Sequence, residues 1–299
     1  MKKKILAIAL VVAMLAVAIV SASLAYFTDE DYATNAFTIG EVDIDLREDF
    51  GNEDDDGDGK DETKEFYPGV DVKKEVWVEN TSTTANDAYI RVHIAFPVEL
   101  APRIATKDVD GKVTDYTYDI NGQDGLAIVT ADTTKWTWTD IYNANIGEVG
   151  NQIPCVVYVA TYKTSVAAGA KTDNAITAVK LNVAADTDIV DGALHLFMDA
   201  NKDGEWDEGE LRVNAQGANH PFKIDVEVAA EAVQVEGMQA IDGNKDVKGN
   251  DKAIAADALD TAFGVPGTYE LSGTEDDHDI VWNGCTTPAE GQMPSYVAP

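Results

Sequence analysis

Apolar and polar residues alternate with a period of two over several stretches of the chain, the pattern of a strand with one buried and one wet face. In Phe37 to Leu46 (FTIGEVDIDL), Val42, Ile44 and Leu46 fall on one side and Glu41, Asp43 and Asp45 on the other. Val76-Trp77-Val78 resumes this extended character after a Pro68-Gly69 turn signal. The clearest strand is Tyr89 to Phe96. There Ile90, Val92, Ile94 and Phe96 form the buried set, and Tyr89, Arg91, His93 and Ala95 the opposite, surface-facing set.

Trp136 to Thr139 and Val156 to Tyr162 carry the β-branched and aromatic residues that suit a pleated surface, with a turn at Ala167-Ala168-Gly169. Leu181 and Val183, then Leu194, Leu196 and Met198, and then Phe222 to Val228 extend the series. One segment breaks the rule. Lys252 to Phe263 (KAIAADALDTAF) places Ile254, Ala258, Leu259 and Ala262 at three- and four-residue spacing, which predicts a helix. Short strands separated by Gly, Asn and Asp predict a mostly β fold, a jelly roll or β-sandwich with loop insertions and a minor helix.

At 299 residues and 45 % hydrophobic content the chain can bury a sizeable core. Its charge narrows the choice of partners: 54 acidic against 22 basic side chains leave a net −32, which repels nucleic acid and anionic lipid headgroups. The same excess keeps a protein soluble and offers oxygen ligands to hard cations. Lys2, Lys3 and Lys4 precede an uncharged apolar run from Ile5 to Val20, followed by Ser23-Leu24-Ala25. That layout predicts an export signal over 1–25, cut between Ala25 and Tyr26, and an extracellular protein that meets the membrane only through this signal; a cut after Ala22 and an uncleaved membrane anchor are the alternatives. A mature N-terminal segment, 26–40, then leads into one β domain over 41–299. Export would allow Cys155 and Cys285 to pair; two buried free thiols are the alternative.

Two stretches match the twelve-residue calcium-loop pattern D-x-[DN]-x-[DN]-G-x5-E at every fixed position. In the first, Asp199, Asn201 and Asp203 supply side chains at positions one, three and five. Gly204 makes the turn, Glu205 offers its carbonyl, Asp207 stands at position nine and Glu210 closes the site, with Trp206 as the apolar contact. The second has Asp54, Asp56 and Asp58, Gly59, the Lys60 carbonyl and Glu65, within an acid-rich run that meets such a pattern partly by composition. A third run, Asp242 to Asp246, lacks the turn glycine and the closing Glu. Calcium is the expected cofactor, and loops set between strands suit a stabilising role.

Catalytic patterns are missing from the sequence. His93, His195, His220 and His278 are scattered, and there is no HExxH helix, GxSxG elbow or phosphate-cradling glycine loop. The alternation around His93 places it on a strand's polar surface. The chain is read as a non-enzyme with no catalytic residues.

Leu24-Ala25-Tyr26-Phe27-Thr28-Asp29, followed by Ala36 to Ile44 (AFTIGEVDI), resembles the start of the TasA/camelysin family, exported through the SipW-type signal peptidase. Pro68-Gly69, Val76 to Thr81 and Ala88 to Val92 are similar to that family's PG, V-x-NT and AYVRV segments. Val159 to Tyr162, Ala167 to Gly169, Ala232 to Gln234 and Ala258 to Gly264 resemble its C-terminal half. The resemblance implies a jelly-roll subunit of biofilm-matrix fibres whose mature N-terminal segment completes a neighbour's sheet. Tyr26, Phe27, Ala33 and Phe37 would be its anchoring side chains, and the partners would be other copies, the SipW-type peptidase and an accessory matrix protein. Head-to-tail addition of that kind does not close and so makes a filament. The acidic insertion near Glu53 to Glu65 and the loop at Asp199 to Glu210 depart from the family pattern. Two alternatives accompany this reading: a camelysin-like secreted metallopeptidase, and a monomeric calcium-binding surface or adhesion protein.

Overall fold

A computed structural model describes residues 42–49, 67–83, 86–148, 152–190, 193–199, 201–207, 210–213, 226–235, 252–275 and 278–286. All of them belong to one compact unit, Asn35–Pro299. Its strands, in chain order, are β1 (Ile44–Asp49), β2 (Val72–Asn80), β3 (Ala88–Pro97), β4 (Arg103–Lys107) and β5 (Val113–Tyr118). They continue with β6 (Ala127–Ala131), β7 (Trp136–Glu148), β8 (Ile153–Tyr162), β9 (Ile176–Leu181) and β10 (Ala185–Val190). The last are β11 (Ala193–Met198), β12 (Arg212–Val213), β13 (Glu227–Gln234), β14 (Leu271–Glu275) and β15 (His278–Thr286), with helix α1 (Lys252–Phe263) before β14.

The strands form antiparallel sheets, as a period-two sequence with short turns favours. One sheet has the order β1-β2-β9-β6, a second β13-β3-β8-β7-β15-β14, a third β10-β11-β12, and β4 and β5 make a separate ribbon. The first two share a single apolar core. Val76, Val78, Val129, Ile176 and Val179 enter it from the four-stranded sheet, and Ile90, Val92, Ile94, Phe96, Val156, Tyr158 and Ala160 from the six-stranded one. β2 shows the logic most plainly: Val72, Val76 and Val78 are buried while Lys73, Glu75, Trp77 and Glu79 are partly exposed. Lys74 also points inward, and its Nζ donates to Glu48 Oε2 at 2.9 Å, so an ion pair ties the edge strand β1 to β2.

Most expected elements form where periodicity placed them. Val42 is 1 % exposed and Ile44 and Leu46 pack against the core. The Pro68-Gly69 turn docks through Gly69 N to Leu181 O at 2.9 Å, and Ala170 N donates to Ala167 O at 2.9 Å to close the second turn. The helix spans Lys252–Phe263 with Ala255, Ala258 and Leu259 buried. Val183 differs: it lies beyond the end of β9 and is 78 % exposed. Of the strand expected over Phe222 to Val228, residues 222–225 lie outside the described residues, and a strand runs over Glu227–Gln234. Strands β4, β5, β6, β10, β12, β14 and β15 form outside the stretches that periodicity picked out.

β3 departs from its expected half-buried state. All ten of its residues are buried, because α1 and the segment leading to β14 cover the face that alternation assigns to solvent. Replacing Ile94, which is 0 % exposed in the shared core, by Ala should lower stability by about 2–5 kcal/mol. Urea unfolding followed by tryptophan fluorescence would read that loss as a lower midpoint at unchanged slope.

Candidate functional site

Two polar constellations stand out. The first is the β11–β12 connection, Asp199 to Glu210, which carries the calcium-loop pattern. Asp199 is 7 % exposed, and its carboxylate accepts backbone N–H groups from Lys202 at 2.6 Å, Asp203 at 3.1 Å and Gly204 at 3.0 Å. A positive φ of 80° at Gly204 allows the chain to wrap around that carboxylate, a conformation open to glycine at no steric cost. Asn201 Nδ2 donates to Asp203 Oδ2 at 3.0 Å and to Asp207 Oδ2 at 2.8 Å, gathering the two carboxylates on one amide. Glu210 Oε2 accepts from Asp207 N at 3.1 Å, and Glu205 N donates to Asp203 Oδ1 at 2.9 Å. The Trp206 ring lies under the Arg212 guanidinium at 4.3 Å, and its Nε1 donates to Glu210 O at 3.3 Å. All these donors are the hard oxygens that calcium takes. They are held by bonds within the loop, and among the described residues no three His, Cys, Asp or Glu side chains gather as a metal-holding group.

The second constellation is buried and lies on the outer face of the six-stranded sheet. Glu231 on β13 stands directly opposite Arg91 on β3. Arg91 Nε and Nη2 reach Glu231 Oε2 at 2.8 and 2.7 Å, Nη1 donates to Asp260 Oδ1 on α1 at 2.6 Å, and Nη2 donates to Gly264 O at 3.3 Å. The Tyr269 hydroxyl accepts from Arg91 Nη2 at 2.8 Å and donates to Glu231 Oε1 at 2.7 Å. His93, 0 % exposed, places Nε2 3.1 Å from Glu231 Oε2 and Nδ1 3.1 Å from the Tyr142 hydroxyl. Its ring meets Trp282 of β15 edge-on at 6.4 Å.

Electrostatics follow from this geometry. Burial alone would raise the Glu231 carboxyl, but its bonds to the His93 ring, the Arg91 guanidinium and the Tyr269 hydroxyl outweigh it and bring the group down to about 2. Burial raises the Tyr142 and Tyr269 phenols well above their ordinary range, so both act as neutral hydroxyls. The surface location expected for His93 is corrected here: the strand's second face is covered, and the imidazole is part of a closed polar cluster. Alternation reports that two faces differ in chemistry; it does not report whether the polar face meets water. One sequence signal for this cluster did exist: Glu231 is the lone acid in the apolar run Val228 to Val233.

The remaining expected sites fare differently. Tyr26, Phe27, Ala33 and Phe37, the junction Ala25-Tyr26, and the second loop with Asp54, Asp56, Asp58, Lys60 and Glu65 lie outside the described residues. No disulfide joins Cys155 and Cys285. Cys155 pairs with Ala144 of β7 from one side, while Cys285 sits in the bulge of β15 on β7's other side. Two strand spacings, about 9–10 Å, separate their backbones, more than a disulfide spans without backbone movement. No described helix is long and apolar enough to cross a membrane.

Arg91→Met should cost about 3–5 kcal/mol, because it strands a buried carboxylate, whereas the double variant Arg91→Met/Glu231→Leu should recover most of the loss. Chemical denaturation of the two variants beside the parent measures both numbers. Equal losses in the single and double variants would show that the pair acts through packing instead of charge.

Compared with protein-family models, with curated proteins and with solved structures, the chain gave no match.

Proposed function

We propose that the protein is a secreted structural subunit of extracellular matrix fibres, built as a jelly-roll-like sandwich, assembling head-to-tail through its N-terminal segment and stabilised by calcium. The observation that carries this reading is the position of β1. Among the described strands it lies at an edge of the four-stranded sheet, and it follows the candidate donor segment 26–40 in the sequence. A sheet edge is where a strand can be added, with backbone hydrogen bonds giving affinity and alternating pockets giving register. Tyr26, Phe27, Ala33 and Phe37 would be apolar anchors among the polar residues of that segment. The resemblance to the TasA/camelysin family supports the same assembly and the cut between Ala25 and Tyr26.

Calcium belongs to the proposal through the donor set at Asp199 to Glu210. Asp199, Asn201, Asp203, the Glu205 carbonyl, Asp207 and Glu210 would hold it, and its charge would offset the repulsion among these carboxylates. Metal binding of this kind adds directly to folding free energy. A monomeric calcium-binding surface protein is the second reading, favoured by the same loop.

Electron microscopy of protein beginning at Tyr26, beside a truncation beginning at Gly40, tests the assembly. Filaments from the longer form alone are expected, and filaments from both would remove strand donation as the mechanism; none from either favours the monomer. With 54 acids repelling one another, acid, salt or calcium should raise filament yield, and a yield unchanged across those conditions overturns that electrostatic account.

Thermal melting tests the metal separately. Calcium at a hundredfold above its dissociation constant should add about 2.7 kcal/mol to stability over the chelated protein. In the variant Asp203→Ala/Asp207→Ala that difference should vanish.

A further inference from the structure

The buried cluster around Glu231 has a property that the fibre reading does not use. Among the described residues, the polar ties of α1 and of the 264–270 segment to β3 and β13 converge on two side chains. Asp260 Oδ1 and Gly264 O accept from Arg91, and Tyr269 bonds to both Arg91 and Glu231. The apolar share of that attachment is Ala255, Ala258 and Leu259, with the partly buried Ala262 and Phe263, against Tyr89, Val233 and Val235. Further along, the backbone at Gly267 runs so close to the sheet that a Cβ there would stand 2.7 Å from Tyr142 Cβ. Among the described residues, the main core between the two sheets contains no side chain from 255–270.

We propose that this cluster is an acid-operated latch: protonation of Glu231 releases α1 and the 264–270 segment from the outer face of the six-stranded sheet, while the core between the two sheets stays folded.

The chemistry of the carboxylate explains why acid would do this. Its neighbours are an arginine, which has five donors and no acceptor, a histidine nitrogen and a tyrosine hydroxyl already aimed at it. A proton on Glu231 would remove the negative charge that Arg91 faces inside the cluster. Arg91 would then keep the Asp260 carboxylate, about a third exposed, as its ionic partner, with only neutral oxygens, the Tyr269 hydroxyl and the Gly264 carbonyl, beside it. The charged and titratable groups around Glu231 are Arg91 and His93 from β3, Tyr269 from the covering segment, Asp260 of α1 through Arg91, and Tyr142 of β7 through His93. Cys285 and Glu270 lie at the far side of Tyr142 and Tyr269 and touch the carboxylate of Glu231 through neither.

The sign follows from the depressed carboxyl. Held near 2 when closed and free to return to 4.5 when open, Glu231 stabilises the closed state fully above pH 4.5, and that stabilisation fades as pH falls towards 2. Between pH 7 and pH 3 the opening constant should rise about thirtyfold on that account. Release would bare Tyr89, Val233 and Val235, and Tyr142 where Gly267 lies against it, an apolar sheet face in place of a capped one.

Hydrogen exchange of the full chain, corrected for intrinsic rates at each pH, reads this out peptide by peptide. Amides of 252–270 should exchange about thirtyfold faster at pH 3 than at pH 7, while those of β2, β8 and β9 change less than threefold. Glu231→Gln should show the same local acceleration already at pH 7, with little further change at pH 3. Tyr269→Phe, which keeps the charges, should show a smaller acceleration confined to the same amides. If 252–270 and β8 accelerate together, the cluster is a support of the whole fold and the latch is wrong; if 252–270 is unmoved in acid, the proposal is equally overturned.

Discussion

The Glu231 carboxylate, taken out of water between Arg91, His93 and Tyr269, is the constraint around which β3, β13, α1 and the 264–270 segment are arranged. A buried charge is tolerated only when its partners are in place and its lone pairs are used. Meeting that requirement recruits β3, β13, α1 and the 264–270 segment at once, and β7 through Tyr142. Register supports the arrangement, since Glu231 and Arg91 are directly paired across adjacent strands. A slip of β13 by one residue would turn Glu231 towards the apolar core and part it from Arg91.

Two different kinds of cohesion therefore coexist. Between the two main sheets the contact is apolar, non-directional and made by alternating Val, Ile, Phe and Tyr side chains. On the outer face of the six-stranded sheet it is directional and ionic at its centre, flanked by small apolar clusters on either side. The first kind is insensitive to pH, and the second depends on it. In a chain with net charge −32, cations are scarce, and placing Arg91 and Lys74 in buried pairs spends them on cohesion within the fold. The surface is left to carboxylates, which favours solubility and hard-cation binding over contact with other polyanions.

Much of the fold was legible from pattern. Val42, Ile44 and Leu46, the inner face of Tyr89 to Phe96, the Pro68-Gly69 turn and the helix over 252–263 all follow from periodicity, because one buried face imposes a period of two and one buried stripe a period near 3.6. The loop at Asp199 to Glu210 was legible for the same kind of reason, its spacing being local and its turn needing glycine at one place. The polar cluster was not. Arg91, Glu231, Asp260 and Tyr269 are up to 178 residues apart in sequence, and no local rule couples them. The separation of Cys155 and Cys285 is similar: only the order β8-β7-β15 places a whole strand between them.

By itself, the sequence determined the class of fold, its main strands, the helix and the acidic, oxygen-rich character of the surface, since each depends on residues near one another along the chain. Tertiary structure alone decided that the second face of β3 is covered, that His93 is buried and that the two thiols stay apart. Those outcomes depend on which distant segments come to lie together. Loop closure and strand order settle that, and the chain's local periodicity carries no record of either.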